Sequence, residues 1–189
     1  TPFDQKRAMT YCIRMFNPGR GAGDASPLAL IASERVVKSL DLSGLEIRDA
    51  DLSGKVFIGC RFSRSRFQDV ILDRSRFRMC FLDSCEFVRC SFLSSDIQFS
   101  CFSGSRLEQC TFENSDLLHD NFNGLAASRV SFNDSDLYNS RFVLAILKDT
   151  SFVNCNLKKT MYFQTVREKV SFKSSNTREA IFGRGEDPE

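Results

Sequence analysis

Large apolar residues recur at every fifth position from Leu42 to Phe182, and the phase survives without one inserted or deleted residue. The central positions read Leu42, Ile47, Leu52, Phe57, Phe62, Phe67, Leu72, Phe77, Leu82, Phe87, Phe92, Ile97, Phe102, Leu107, Phe112, Leu117 and Phe122, then resume at Phe132, Leu137, Phe142, Leu147, Phe152, Leu157, Tyr162, Phe172 and Phe182. Only Ala127, Arg167 and Thr177 break the rule. Two residues ahead of each centre stands mostly a small or modest side chain, as in Ala50, Cys60, Ser65, Val70, Ser75, Cys80, Cys85, Cys90 and Ser95. An α-helix repeats its buried face every 3.6 residues and a strand every second residue, so a period of five predicts a different winding. Each five supplies one large and one small inward residue. No such unit buries anything alone, so stability must come from stacking, as in other solenoids.

Four stretches, "ADLSG" at 50–54, "SDLLH" at 115–119, "SDLYN" at 135–139 and "CNLKK" at 155–159, show a small residue, then Asp or Asn, then Leu, then polar residues. In these the chain resembles the pentapeptide repeat family over about three quarters of its length, although Arg, Glu, Ser or Thr often stands where Asp or Asn is usual. The resemblance implies an all-β fold: a right-handed quadrilateral β-helix of about seven coils, four pentapeptides per coil, with centre and small residue both pointing inside. Residues twenty apart then become vertical neighbours, and Leu52, Leu72, Phe92, Phe112, Phe132, Phe152 and Phe172 form one inward ladder. With rungs about 4.8 Å apart, the rod is about 34 Å long. Where Ala127 leaves a centre short of volume, Leu125 two places earlier exchanges large for small and conserves it.

The chain's 189 residues, with ample Phe, are enough for one soluble domain with a sizeable core. Three segments are expected: residues 1–39 outside the repeat, the β-helix over 40–182, and a polar tail over 183–189. Within the first, 17–27 reads as a turn-rich linker and 28–40 as a cover for the open first coil. The apolar stretch "MTYCIRMF" at 9–16 is short and broken by Arg14, so it reads as neither a membrane span nor a signal sequence. A cytoplasmic location is expected, with a secreted or processed form left open because the chain begins at Thr1.

Eight cysteines invite a metal or redox reading, but Cys60, Cys80, Cys85, Cys90, Cys110 and Cys155 occupy the small inward place that Ser or Ala fills elsewhere. There is no C-x-x-C pair, and five-residue spacing sends successive thiols to different faces. Cys60 and Cys80, and Cys90 and Cys110, stack at a spacing that formally permits a disulfide. Free buried thiols suit the pattern better, since reduced Cys packs as a small hydrophobe. His119, the only histidine, faces outward beside no nucleophile. Asp120 falls on an inward place between Ser100 and Ser140, where burying a charge costs several kcal/mol. It is expected to turn outward at a local kink rather than stay buried as an acid hydrogen-bonded to those serines. Lys55, also inward, is expected at a frayed or solvent-facing end. No catalytic group, cofactor, metal site or small-molecule substrate is expected.

Function therefore belongs to the outer faces. Glu46, Arg66, Glu86 and Arg106 alternate in sign up one face, and Asp96, Asp116, Asp136, Asn156 and Asn176 form a ladder on another. A basic cluster, Arg61, Arg64, Arg66, Arg74, Arg76, Arg78 and Arg89, suits phosphate or an acidic protein surface, unless Asp69, Asp73, Asp83 and Glu86 neutralise it. Apolar residues stand where the motif wants polar ones in two places. One is a corner with Met79, Phe81, Phe99, Leu118 and Tyr138. The other, near the C-terminal coils, is Val143, Leu144, Ile146, Met161, Phe163 and Val166. The leading expectation is a non-catalytic scaffold for protein–protein interaction, its partner a protein or a second copy, the latter as a homodimer through the C-terminal coils. Some family members protect DNA gyrase by mimicking duplex DNA with a strongly acidic rod. Here residues 40–182 carry nineteen basic and eighteen acidic residues, which disfavours that alternative and nucleic-acid binding with it. A repeat domain of a secreted effector is the third reading.

Overall fold

The structure, a computed structural model, describes residues 27–183. It opens with a helix, α1 (Pro27–Ser33), whose Leu28 and Ile31, three apart and so on one face, join the hydrophobic core. Twelve three-residue strands follow: β1 (Val36–Lys38), β2 (Glu46–Arg48), β3 (Val56–Ile58), β4 (Arg66–Gln68), β5 (Arg76–Arg78), β6 (Glu86–Val88), β7 (Asp96–Gln98), β8 (Arg106–Glu108), β9 (Asp116–Leu118), β10 (Ala126–Ser128), β11 (Ile146–Lys148) and β12 (Val166–Glu168). They form two parallel sheets, β1-β3-β5-β7-β9 and β2-β4-β6-β8-β10-β11-β12, in which every neighbour lies twenty residues away. Two further faces are held by single parallel bridges, one running Asp41–Arg61–Phe81–Cys101–Asn121–Arg141–Met161–Ile181 and the other from Asp51 through Ile71 to Ser171. Four faces and a twenty-residue rise make the right-handed quadrilateral β-helix, about seven coils long.

The corners explain why five residues suffice for a side. Every fifth residue from Ser39 to Glu179 has φ between +47° and +69°, although only five of these positions are glycine. A left-handed residue turns the chain sharply, and for other L-residues it costs roughly 1–2 kcal/mol. The stacked hydrogen bonds above and below each corner hold it there, as when Asp69 N–H donates to the Val88 carbonyl (2.9 Å) and Asn114 N–H to the Asn133 carbonyl (3.0 Å).

The inward ladder expected from Leu52 to Phe172 is present, with every member buried. Phe92 stacks on Phe112 at 4.4 Å between ring centres, Phe112 on Phe132 at 5.1 Å and Phe132 on Phe152 at 4.8 Å. A second stack, Phe102–Phe122–Phe142–Tyr162–Phe182, meets the first edge-on, for example Phe142 against Phe152 at 5.4 Å and 88°. Parallel stacking within a column and edge contacts between columns are both favourable ring geometries. Leu125 and Ala127 are both buried, so the exchange of large and small places occurs within the core.

The small inward column obeys a chemical rule as well as a volume rule. At most places its hydroxyl or thiol donates to the carbonyl twenty-three residues earlier: Ser95 to Leu72 (2.8 Å), Ser115 to Phe92 (2.8 Å), Ser140 to Leu117 (2.6 Å), Cys85 to Phe62 (3.0 Å) and Cys155 to Phe132 (3.0 Å), while Ser75, Ser100 and Thr150 donate to a carbonyl two or three residues before themselves. A serine there also accepts the N–H twenty residues earlier, as Ser105 does from Cys85 (2.9 Å) and Ser135 from Ser115 (3.0 Å). Small residues that donate thus stitch successive coils from inside, where unpaired polar groups are expensive.

Two charged residues in that column differ from expectation. Asp120 does not turn outward. It is 1% exposed, its Oδ1 accepts the Ser100 N–H (2.7 Å), and its own N–H donates to Ser140 Oγ (2.9 Å). A kink would have broken the coil-to-coil bonds on either side, Asn121 N–H to the Ser100 carbonyl (2.9 Å) and Arg141 N–H to the Asp120 carbonyl (3.0 Å). Burial instead pushes the carboxyl well above its ordinary range, which favours the neutral acid. Lys55 is buried rather than solvent-facing, and its Nζ donates to the carbonyls of Glu34 (2.8 Å) and Ala32 (3.4 Å) at the end of α1. Those carbonyls have no partner within a helix, so the lysine fastens α1 to the rod.

Candidate interaction surfaces

The C-terminal patch lies where two faces meet. Ile146 and Val166 are register partners on β11 and β12, and Met161 bridges Arg141 below and Ile181 above on the adjoining face. Leu144, Ile146, Phe163 and Val166 are exposed, while Val143 and Met161 are half-buried. Leu144 is the least expected of these. It occupies a corner at φ +60°, where glycine or asparagine is easiest, and is 60% exposed. Neither backbone preference nor core packing asks for leucine there. Ile181, also exposed and stacked over Met161, extends the patch. Sequence reasoning missed it, although counting twenty from Met161 would have found it.

The second patch is also assembled at a corner. Met79 and Phe99 occupy left-handed corner positions in one column and are exposed, and Phe81 is exposed just past the corner. Leu118 and Tyr138 are half-buried. His119, read from the sequence as a solvated side chain, belongs to this group. It stacks flat on Phe99 (4.9 Å, 6°), meets Tyr138 edge-on (5.6 Å), and its Nδ1 lies 2.9 Å from Asn139 Nδ2. The twenty-residue spacing from Phe99 to His119 was the available signal.

The charged columns are largely satisfied within the rod. Arg66 pairs with Glu86 (3.2 Å), Arg76 with Asp96 (3.1 Å), and Arg78 Nη1 with Asp96 Oδ1 (2.7 Å), while Arg89 grips both oxygens of Asp69 (2.6 and 2.7 Å). Arg61 lies over the Phe81 ring at 5.7 Å. Arg64 and Arg74 make no ion pair among the described residues and are the exposed remainder of the cluster. Of the alternating column only Arg66–Glu86 is a pair along the stack, because Glu46 pairs with Arg48 and Arg106 with Glu108 instead. In the acidic ladder, Asn156 donates to Asp136 (3.0 Å) and Asn176 to Asn156 (3.3 Å). Burial and the flanking Asp96 and Asp136 push the Asp116 carboxyl up. A groove beside Arg61, Arg64 and Phe81 has its acids engaged, since Ser63 Oγ donates to Asp83 (2.7 Å) and Ser43 N–H to Asp41 (3.0 Å). No described helix is long and apolar enough to cross a membrane.

The six inward cysteines are buried and unpaired, Cys101 is half-buried, and Cys12 lies outside the described residues. Burial pushes the Cys85 thiol up to about 12 and the Cys155 thiol to about 11. Contact with Cys60 and Cys110, then burial, raises Cys80 and Cys90 as well. Because a reagent must reach the sulfur before it can react, a thiol reagent added to the native protein should label Cys101, the one described cysteine that is not buried, first. Cys85 and Cys155 should react only on unfolding, and rapid native labelling of Cys85 would overturn the packing account.

Fold and sequence converge on one family. The description "Pentapeptide repeats (8 copies)" matches residues 41–78 and 71–109, and "Pentapeptide repeat region" matches 105–182. The chain is a pentapeptide repeat protein. Solved relatives of this pentapeptide repeat rod include two trypsin-treated forms of QnrB1, a plasmid-mediated fluoroquinolone resistance protein. Each is 16% identical and matches 78% of this chain, with TM-scores of 0.57 and 0.50 over 89% and 90% of the QnrB1 chains. HetL, a pentapeptide repeat protein involved in heterocyst differentiation regulation in the cyanobacterium Nostoc, is 13% identical, with a TM-score of 0.28 over 80% of this chain and 92% of its own. No curated protein matches the chain in sequence. At such identities the likeness to QnrB1 is one of fold.

Proposed function

We propose that the rod is a non-catalytic protein-interaction scaffold and that Val143, Leu144, Ile146, Met161, Phe163 and Val166 bind a second copy of the chain. The observation that carries this reading is Leu144, a bulky apolar side chain held in solvent at a left-handed corner, with exposed Ile146, Phe163 and Val166 around it. A contiguous apolar area of that kind marks contacts, and closed twofold pairing is the commonest way to cover one. The two ends of the rod differ in the same sense. At the first coil Leu28 and Ile31 of α1 are buried, whereas at the last Ile181 is exposed and Phe182 half-buried. The near balance of charge over residues 40–182 supports a protein contact over a substitute for duplex DNA. The inward thiols, donating to carbonyls, support a reducing, cytoplasmic setting.

Sedimentation equilibrium tests the reading on wild type and on a Phe163→Asp, Ile146→Arg double variant. Wild type should self-associate with rising concentration, and the variant should stay monomeric with the same thermal unfolding. A wild-type monomer at every concentration would remove self-association. Loss of folding in the variant would mean that the two side chains are core rather than surface.

A further inference from the structure

The inward column of donors has one member that a carboxylate cannot imitate. Position 120 takes the place that Ser140 and most of its counterparts fill by accepting an N–H from the coil below and donating to the carbonyl twenty-three residues earlier, although Ser100 donates to the Gln98 carbonyl (3.2 Å) instead. Asp120 Oδ1 performs the first task, accepting Ser100 N–H at 2.7 Å. Its Oδ2 is buried without a partner. The carbonyl that the pattern assigns to it is that of Ile97, as Ser140 donates to Leu117 (2.6 Å), Thr160 to Leu137 (3.0 Å) and Ser115 to Phe92 (2.8 Å). An ionised carboxylate has no proton to give and would set two acceptors against each other in the core. We propose that Asp120 is built in as a neutral acid that donates Oδ2–H to the Ile97 carbonyl, and that its ionisation makes the middle of the rod pH-sensitive, firm in mild acid and weaker as the pH rises.

The surrounding charges do not rescue the ionised form. Its neighbours in the column, Ser100 and Ser140, are neutral. Arg78 on β5 attracts a charge at Asp120 and Asp96 on β7 repels it, but Arg78 is already bonded to Asp96 at 2.7 Å. Asp116 and His119, the nearest ionisable residues along the chain, and Arg141, whose N–H donates to the Asp120 carbonyl from the next coil, are exposed on outward places of the repeat. His119 carries the stack with Phe99, so the coil that ionisation would loosen is the one that presents the Met79–Phe99–Tyr138 patch.

The sign follows from proton linkage. The folded state holds this proton more tightly than the unfolded chain, whose Asp titrates near its model value of 3.8. The contribution is therefore fully present below that pH and is lost as the pH rises toward the folded value, by about tenfold in the folding equilibrium per pH unit. Asp69 and Asp51 act in another window. Hydrogen bonds from Arg89 and from Ser53 hold them low, so their contribution is lost only in stronger acid. Asp116 shares the direction of Asp120, so a substitution at 120 is needed to separate the two.

Asp120→Asn supplies an acceptor and a donor in one neutral group, and Asp120→Ser restores the hydroxyl of the column. Denaturant midpoints of the full chain measured from pH 4.5 to 8.5 should fall steeply for wild type and much less for both variants, which should be more resistant than wild type at pH 8.5. Parallel pH profiles for wild type and variants would overturn the proposal. The carboxyl carbon resonance of Asp120, followed by NMR in folded wild type, gives a reading independent of any variant. It should keep the neutral-acid shift at pH values well above the 3.8 of an ordinary Asp, and a titration midpoint at or below that value would overturn the proposal directly.

Discussion

Phe132→Ala is expected to destabilise the rod by about 3–5 kcal/mol, at the top of the range for core truncations. Phe132 is fully buried and lies between Phe112 (5.1 Å, 14°) and Phe152 (4.8 Å, 2°), with edge contacts to Phe122 (6.0 Å) and Phe142 (5.8 Å). The cavity cannot close easily. Each neighbouring ring sits on a backbone tied to the coils above and below, as Phe112 N–H is to the Ser131 carbonyl (2.7 Å) and Phe132 N–H to the Ser151 carbonyl (2.8 Å). A rod held at both rungs relaxes little toward a void, so both the transfer and cavity contributions remain. Denaturant unfolding of the variant beside Leu93→Ala, an exposed position expected to change stability by less than about 0.5 kcal/mol, measures the difference. A loss below about 1 kcal/mol for Phe132→Ala would mean that the ring columns are not close-packed.

The exchange at 125 and 127 should show a large loss and a large recovery. Leu125 fills a small place and Ala127 a central one, between Leu107 and Leu147 in its column. Leu125→Ala alone removes a buried side chain and should lose about 2–5 kcal/mol. Ala127→Leu alone adds volume to a full layer and should lose about 1–3 kcal/mol. Together they return the layer to the pattern of its neighbours at nearly unchanged volume, and the double variant should recover more than half of the summed losses. That coupling is read from a double-mutant cycle of denaturant midpoints. Simple addition of the two losses would show that the large and small places are not interchangeable at this coil.

The inward half of the molecule was legible in the sequence because each inward place is constrained by its vertical neighbours, twenty residues away, and by little else. An unbroken phase therefore fixed the ring ladders, the burial of Cys60, Cys80, Cys85, Cys90, Cys110 and Cys155, and the pairing of coils. Asp120 stays inside because a kink would break the coil-to-coil hydrogen bonds on either side of it, and the expectation from buried charge pointed the wrong way because burial itself raises the carboxyl's pKa and so lessens the charge to be buried.

The outward half was only partly legible. The sequence put Phe99 and His119 in one column and Arg66 beside both Glu46 and Glu86. Which contacts form depends on side-chain reach in three dimensions: His119 stacks on Phe99, Arg66 chooses Glu86, and Glu46 turns to Arg48. Lys55 makes the point at the rod's beginning, where an apparent error in the pattern became a fastener once α1 brought the Ala32 and Glu34 carbonyls within its reach. The sequence alone determined the winding, the core and the register, because a solenoid's backbone repeats and one phase governs every coil. Tertiary structure alone decided the polar pairings, the burial of Asp120 and the shape of the two apolar patches, because these depend on distances between side chains that a periodic pattern does not contain.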